Sequence, residues 1–316
     1  MKKYLLAATA TLAFVLAPAS EQPAVAAVQA APAAPAAQQA DADPAMWVVR
    51  DEDTTIYLFG TFHLLDSRPW FNDEVKTAFD QSDELVLEAV LPDNPADLGP
   101  LITRYAVDPN GRTLSQRLTS EQHRALTQAL SAMGVPATAL ETYEPWFVSM
   151  SMVSIAAQRL GISPQNGAEA ILSKAARDRQ IPVSELEGFE YQMRLFDELP
   201  EEQQLAQLRQ TIELLDQLDE GMAPMLAAWS TGNVERLVEL MEEHQAQDRN
   251  LHDILFLNRN RNWAEWVDGR LDRPGTVFVA VGAGHLAGAD SVQSLLSQRG
   301  IASQRVGAGA AERPAS

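Results

Sequence analysis

The chain has 316 residues, no cysteine, 43 acidic against 24 basic side chains, and a formal net charge of −19. Without cysteine there can be no disulfide and no thiolate ligand, so a metal would have to be held by His, Asp and Glu. The acidic balance argues against partners that are themselves anionic, nucleic acid and acidic lipid alike.

Met1-Lys2-Lys3 supplies a basic start, residues 4–16 form an apolar run too short to span a bilayer, and Ala17-Pro18-Ala19 offers small residues for cleavage. That order predicts a signal peptide over residues 1–19 and a periplasmic or secreted product, with an uncleaved membrane anchor as the alternative. Residues 20–45 are almost wholly Ala, Pro and Gln. Such a stretch buries too little side-chain area to offset its ordering entropy, which predicts a disordered linker. A single domain is expected over 46–306, with a flexible tail at 307–316. No later segment has the length of a membrane span, so none is expected after signal cleavage.

Within the domain, "MWVVR" and "TIYLFG" predict strands at 46–50 and 55–60 around an acidic turn. A helix is expected at 72–81 and a buried strand at 84–91. The next helix is capped by Thr119 or Ser120 and stopped by Gly134, and further helices follow at 145–160 and 167–179. A short strand covers 181–188. Residues 200–252 are helical and acid-rich, with Leu205, Leu208, Ile212 and Leu215 on one stripe, a spacing of ordinary helix packing or a short coiled-coil seam. A helix at 251–267, a strand at 275–281, a helix at 285–300 and a strand at 301–306 complete the domain. Strands at both ends with helices between predict an α/β (α+β) fold, one mixed central sheet covered by helices.

Two places share one pattern: an apolar strand, a glycine, two residues, then a histidine. They are Gly60-Thr61-Phe62-His63 and Gly282-Ala283-Gly284-His285. With 17 glycines and 5 histidines in the chain, chance gives roughly 0.3 Gly-x-x-His matches. Glycine lets the chain turn where a strand ends, and the histidine then projects at the strand's C-terminal edge, where α/β sheets bind ligands. Either histidine alone reads as a satisfied buried imidazole; the pair points to a site.

Glu88 interrupts the apolar run "LVLEAVL". Buried there, its carboxylate needs a cation or donors, whereas alternation on an edge strand would turn it outward. Two histidines and a glutamate make a donor set for Zn, Mn or Co. Glu185 and Glu187 flank Leu186 on one strand face, so one of them could enter the site. Arg259 and Asn260 open "RNRNW"; Arg259 could neutralise a carboxylate or hold an oxyanion, or lie on the surface with its stem over Trp263 and Trp266. His123, His244 and His252 lie in polar helical contexts and read as solvated.

"LFGTFHLL", "ELVLEAV", "SELEGFEYQ", "AAWSTGNVERL", "NRNRNWAEWV" and "VAVGAGHLAG" occur in this order, and with them nearly all of residues 46–306 resembles the TraB/GumN family (TraB/PrgY/GumN), whose animal relatives include the Tiki metalloproteases. The resemblance implies a fold of the erythromycin-esterase and ChaN group and a metal-dependent hydrolase. By position it makes His63, Glu88 and His285 the site core, with Glu88 a ligand or base, Arg259 in support, and Glu187, Asn260, Gly60 and Gly282 as supporting residues. Gly188 and Glu169 depart from the family's usual Thr and Asp, and Glu169 is therefore not counted among the site residues.

The expected function is thus metal-dependent hydrolysis of a peptide or protein substrate, using a divalent ion. The alternative is a non-catalytic protein that sequesters a peptide or partner, which an acidic surface would suit if that partner were basic. Nucleotide binding at "VAVGAGHLAG" fits poorly, because the spacing is not G-x-G-x-x-G and no acidic strand end follows.

Overall fold

The computed structural model describes residues 41–92, 94–245 and 249–307. The expected signal peptide, most of the linker and most of the tail lie outside the described residues. The packed chain begins before Met46: Ala42 and Ala45 are buried, and residues 42–45 bond to Pro69, Ser230 and Gly60 through the backbone. The linker boundary at 45 therefore falls inside an ordered segment that is laid against the domain.

Six strands form one sheet: β1 (Met46–Arg50), β2 (Thr54–Thr61), β3 (Glu84–Leu87), β4 (Val183–Glu185), β5 (Gly275–Gly282) and β6 (Ser303–Val306). Their spatial order is β4-β3-β5-β2-β1-β6. The four strands from β4 to β2 are parallel, and β1 is antiparallel to both β2 and β6. The expected mixed sheet in an α+β domain is what forms.

The central strands read as continuous apolar runs because both faces are covered, as parallel sheets require. Period-2 alternation then divides them. Tyr57, Phe59, Leu85, Leu87, Phe278 and Ala280 enter one core, and Ile56, Leu58, Val86, Val277, Val279 and Val281 enter another.

The helices are α1 (Asp73–Asp80), α2 (Leu98–Tyr105), α3 (Leu114–Arg117), α4 (Ser120–Ala132), α5 (Pro145–Arg159), α6 (Ala168–Arg179), α7 (Phe189–Asp197), α8 (Glu201–Leu214), α9 (Leu218–Ser230), α10 (Val234–Gln245), α11 (Arg249–His252), α12 (Asn258–Leu271) and α13 (Val292–Gln298). Helices α12 and α13 cover the second face through Trp263, Val267 and Leu296. Helices α1, α6 and α9 cover the first, through Phe79, Leu172 and Trp229 among others. The Leu205–Leu215 stripe packs against Leu126, Leu130, Val148 and Met152, so it is ordinary helix packing and not a seam.

Four boundaries differ from expectation, each for a local reason. The strand expected at 84–91 ends at Leu87, where its pairing with both β4 and β5 stops and the Gly282 N–H turns to the Glu88 side chain, so Glu88 is the first residue past a strand end and not a mid-strand residue. The strand expected at 181–188 is Val183–Glu185 alone, opposite Leu85–Leu87. The helix expected at 285–300 is a 3-10 turn at Ala283–Leu286 followed by α13; Gly288 at φ +83° breaks it, and Ser291 caps the new start. The helix expected at 251–267 contains a π turn at Asp253–Leu257 immediately before α12. Among the described residues, no helix is long and apolar enough to cross a membrane.

Candidate functional site

The carboxyl ends of β2, β3 and β5 lie side by side, because Thr61 pairs with Gly282 and Leu87 with Ala280. His63 leaves the end of β2, Glu88 the end of β3 and His285 the turn after β5. The two Gly-x-x-His units are out of step by one residue, Gly60 facing Val281 and Gly282 facing Thr61. All three side chains are buried. A Cβ placed on Gly282 would stand 3.1 Å from Glu88 Oε1, 3.6 Å from His285 Cδ2 and 3.8 Å from His63 Nε2. Gly282 is the floor on which these three groups converge, and a side chain there would fill the space they share.

Arg259, from the first turn of α12, is the cation of the site and is buried with it. Its Nη2 donates to Glu88 Oε2 at 2.8 Å, and its Nε reaches both oxygens of Glu187 at 3.0 Å. Nη1 donates to the Leu255 carbonyl at 3.0 Å and to His285 Nε2 at 3.1 Å. The Leu255 carbonyl belongs to the π turn, the kind of irregularity found at functional sites. The guanidinium also lies 4.8 Å from the centre of the Trp263 ring. Arg259 is therefore not the surface residue that one reading of its helix allowed.

Each carboxylate is held by several donors. Glu88 Oε1 accepts from the Gly282 N–H at 2.6 Å, and Gln192 Nε2 donates to Glu88 Oε2 at 3.2 Å and to Glu187 Oε2 at 3.3 Å. Trp263 Nε1 donates to Glu187 Oε1 at 3.1 Å. Glu187 is thus the member of its pair that enters the site, while Glu185 turns away and accepts from the Val90 N–H at 2.7 Å.

Burial by itself would raise the Glu88 carboxyl, but Arg259, the two histidines and the Gly282 N–H outweigh it and hold the group down to about 2. Burial governs Glu187 instead: with Glu88 nearby it keeps that carboxyl above the usual range, despite the bidentate arginine. The difference follows from position, since Glu88 meets three cationic or potentially cationic groups and Glu187 meets one.

The imidazoles differ in the same way. His285 Nδ1 lies 2.6 Å from Asn260 Oδ1. Asn260 Nδ2 donates to the Asp290 carbonyl at 2.8 Å, so Oδ1 is its acceptor, His285 donates through Nδ1, and Nε2 accepts from Arg259. Burial and the Arg259 charge push His285 down to about 3, so it is neutral. For His63, burial opposes the charged form, but Glu169 and then Glu88 raise it above the ordinary histidine value. His63 Nδ1 stands 2.7 Å from Glu169 Oε1.

The chemistry of this donor set fits a divalent ion. Both imidazoles have an oxygen close to Nδ1, at 2.6 Å for His285 and 2.7 Å for His63, the outer contact that metal-binding histidines characteristically make, and His63 Nε2 lies over Gly282 beside Glu88 Oε1. His285 Nε2 lies 3.8 Å from Glu88 Oε1, a separation slightly wider than two ligands on one ion. No group of three or more His, Asp or Glu is closed into a metal cage among the described residues. The Arg259 guanidinium occupies the His285 Nε2 lone pair. His63, Glu88 and His285 could hold an ion once Arg259 Nη1 releases His285.

The other expected members take lesser places. Gly60 lies in β2 against Ala283 and Ala45, where its carbonyl accepts from Trp229 Nε1 at 2.8 Å. His285 is flanked by Phe256 at 4.9 Å and Trp263 at 4.4 Å between ring centres. His252, read as solvated, is half-buried and stacks on Phe256 at 5.6 Å; His123, read likewise, faces Glu141 at 3.2 Å. The side chain of His244 is outside the described residues. Glu169 is the residue sequence reasoning left aside, and its spacing from the other members gives no sign that it meets His63.

A sequence model of the TraB/PrgY/gumN family matches residues 45–305. The chain belongs to the TraB/PrgY/gumN family. It is similar to the YbaP protein of Escherichia coli (strain K12), 27% identical over 255 residues that cover 80% of this chain and 92% of that one. It is also similar to YbaP of Shigella flexneri, 28% identical over 215 residues covering 68% and 77%. No solved structure matches.

Proposed function

We propose that this TraB/PrgY/gumN member is an exported, metal-dependent hydrolase of peptide bonds, with His63, Glu88 and His285 holding the ion. The observation that carries the reading is the convergence of both Gly-x-x-His imidazoles and Glu88 on Gly282. A divalent ion bound there would supply Lewis acidity toward a carbonyl oxygen and toward water. Glu88, held near 2, is suited to stabilising positive charge and not to taking a proton at neutral pH. His63, with Glu169 at 2.7 Å from Nδ1, would meet the ion through Nε2 as a ligand and not as a base. Arg259, released from His285, can offer Nη1 to developing negative charge while Nε stays on Glu187. Phe256 and Trp263 keep water from the faces of His285. Export rests on the charge and hydropathy of residues 1–19.

Sequestration without turnover is the second reading, favoured by Arg259 standing on His285 and Glu88 in place of an external cation. The test is elemental analysis of chelator-free protein, followed by incubation with a peptide library in excess. About one divalent ion per chain and more than one cleavage per chain support hydrolysis. Stoichiometric peptide capture with intact peptide supports sequestration and overturns the enzyme.

A further inference from the structure

We propose that Glu169 is the positioning residue of His63, holding the proton of the neutral imidazole on Nδ1 so that Nε2 faces Glu88 and Gly282.

The local backbone is built to bring this carboxylate in. Glu169 lies in the first turn of α6, and the start of that helix is tied to the β2 end by its backbone: the Ala168 N–H donates to the Phe62 carbonyl at 3.1 Å. Gly167 permits the approach, because a Cβ there would stand 2.2 Å from the His63 carbonyl oxygen. Nδ1 and Oε1 are then 2.7 Å apart, though the line of approach is too oblique for a well-directed hydrogen bond. Such contacts often straighten only when the reacting complex forms.

The second observation is what the carboxylate lacks. Both Glu169 oxygens are buried without a hydrogen-bond partner among the described residues. Glu88 and Glu187, by contrast, take donors from Arg259, Gln192, Gly282 and Trp263. A carboxylate serving only the fold would be satisfied in the same way, since leaving it bare costs free energy. The polar group that stands against it is His63 Nδ1 at 2.7 Å, and with no other donor at its oxygens among the described residues that ring is the group it serves. Asn260 performs the matching task for His285 at 2.6 Å, but with a neutral oxygen. The site thus gives one histidine a charged orienting partner and the other an uncharged one, which makes His63 the stronger electron donor at Nε2.

The role in metal affinity rests on the proposed function; the tautomer does not. The full chain, with 15N-labelled histidine, is read by imidazole nitrogen shifts at a pH where His63 is neutral. In the wild type, His63 should carry its proton on Nδ1. Glu169→Ala should shift it toward Nε2 and leave His285 unchanged. Glu169→Gln, whose amide oxygen still accepts from Nδ1, should restore the wild-type pattern. Calorimetry with Zn2+ should then show affinity lowered about 10- to 100-fold in Glu169→Ala. A wild-type His63 protonated on Nε2 overturns the assignment without any variant. So does a Glu169→Ala protein with a lower Tm but an unchanged His63 tautomer, the result expected of a merely structural helix-start acid. If the tautomer shifts but wild-type protein takes up no Zn2+, Glu169 keeps its role and the metal reading fails.

Discussion

Arg259 donates to His285 Nε2 at 3.1 Å and to Glu88 Oε2 at 2.8 Å, so one guanidinium serves both as counter-ion to the carboxylate and as donor to the neutral imidazole. Removing it should be more damaging than removing either carboxylate. Arg259→Ala leaves Glu88 and Glu187 buried without their cation and should cost about 3–5 kcal/mol. Glu88→Gln leaves Arg259 on Glu187 and should cost about 1.5–3 kcal/mol. Denaturant unfolding in chelator ranks the two.

Acid should erode the Glu88 contribution in a defined direction. Its folded-state carboxyl lies at about 2 against an ordinary 4.5. Stability from a depressed carboxyl is present above the unfolded value and lost as pH falls through the folded one. The gap between wild type and Glu88→Gln should therefore shrink from about pH 5 downward, measured on the metal-free proteins. A gap that widens on acidification would contradict the pairing with Arg259.

Asp197 should behave in the opposite sense. Burial, with Glu144 and Glu198 nearby, raises its carboxyl to about 6. A raised carboxyl contributes stability below its unfolded value that is lost as pH rises through the folded value. Asp197→Asn should thus raise Tm at pH 8 and change it little near pH 4, as thermal melts at the two values would show.

Gly167→Ala should cost about 1–3 kcal/mol through overpacking and weaken metal uptake, because the new methyl falls on the His63 backbone at 2.2 Å. Gly188→Ala is the control, since nothing lies within 4 Å of its added Cβ. Equal Tm losses in the two variants would mean that the α6 approach is not tight.

Trp229→Phe keeps a ring beside Trp70 but removes the donor to the Gly60 carbonyl. A buried carbonyl left unpaired costs about 1–3 kcal/mol, and chemical denaturation should show a loss of that size.

The paired glycine–histidine units made the strand ends legible, because an apolar run that stops at glycine marks both the element and its edge. Glu88 was legible as an outlier in an apolar run. Its pairing was not, since only the sheet order and the π turn before α12 place Arg259 beside it. Glu169 was illegible for a different reason: it sits at an ordinary helix start, and its contact depends on how closely Gly167 lets two backbones pass. The α11–α12 region also read as one uninterrupted helix, because a π turn keeps helical hydrophobic spacing nearly intact over a few residues.

Strand β5 lies between β3 and β2, yet it is residues 275–282, near the end of the chain. Before it is in place, β1–β2 and β3–β4 are two separate pairs with no shared edge. Their union therefore waits for nearly the whole polypeptide, a long-range closure that slows folding. A chain cut short before residue 275 would lack His285 and the Gly282 floor, and would also expose the facing edges of β2 and β3. Those two edges are open templates for strands from other copies, so truncation products of this protein should aggregate and not persist as inactive monomers.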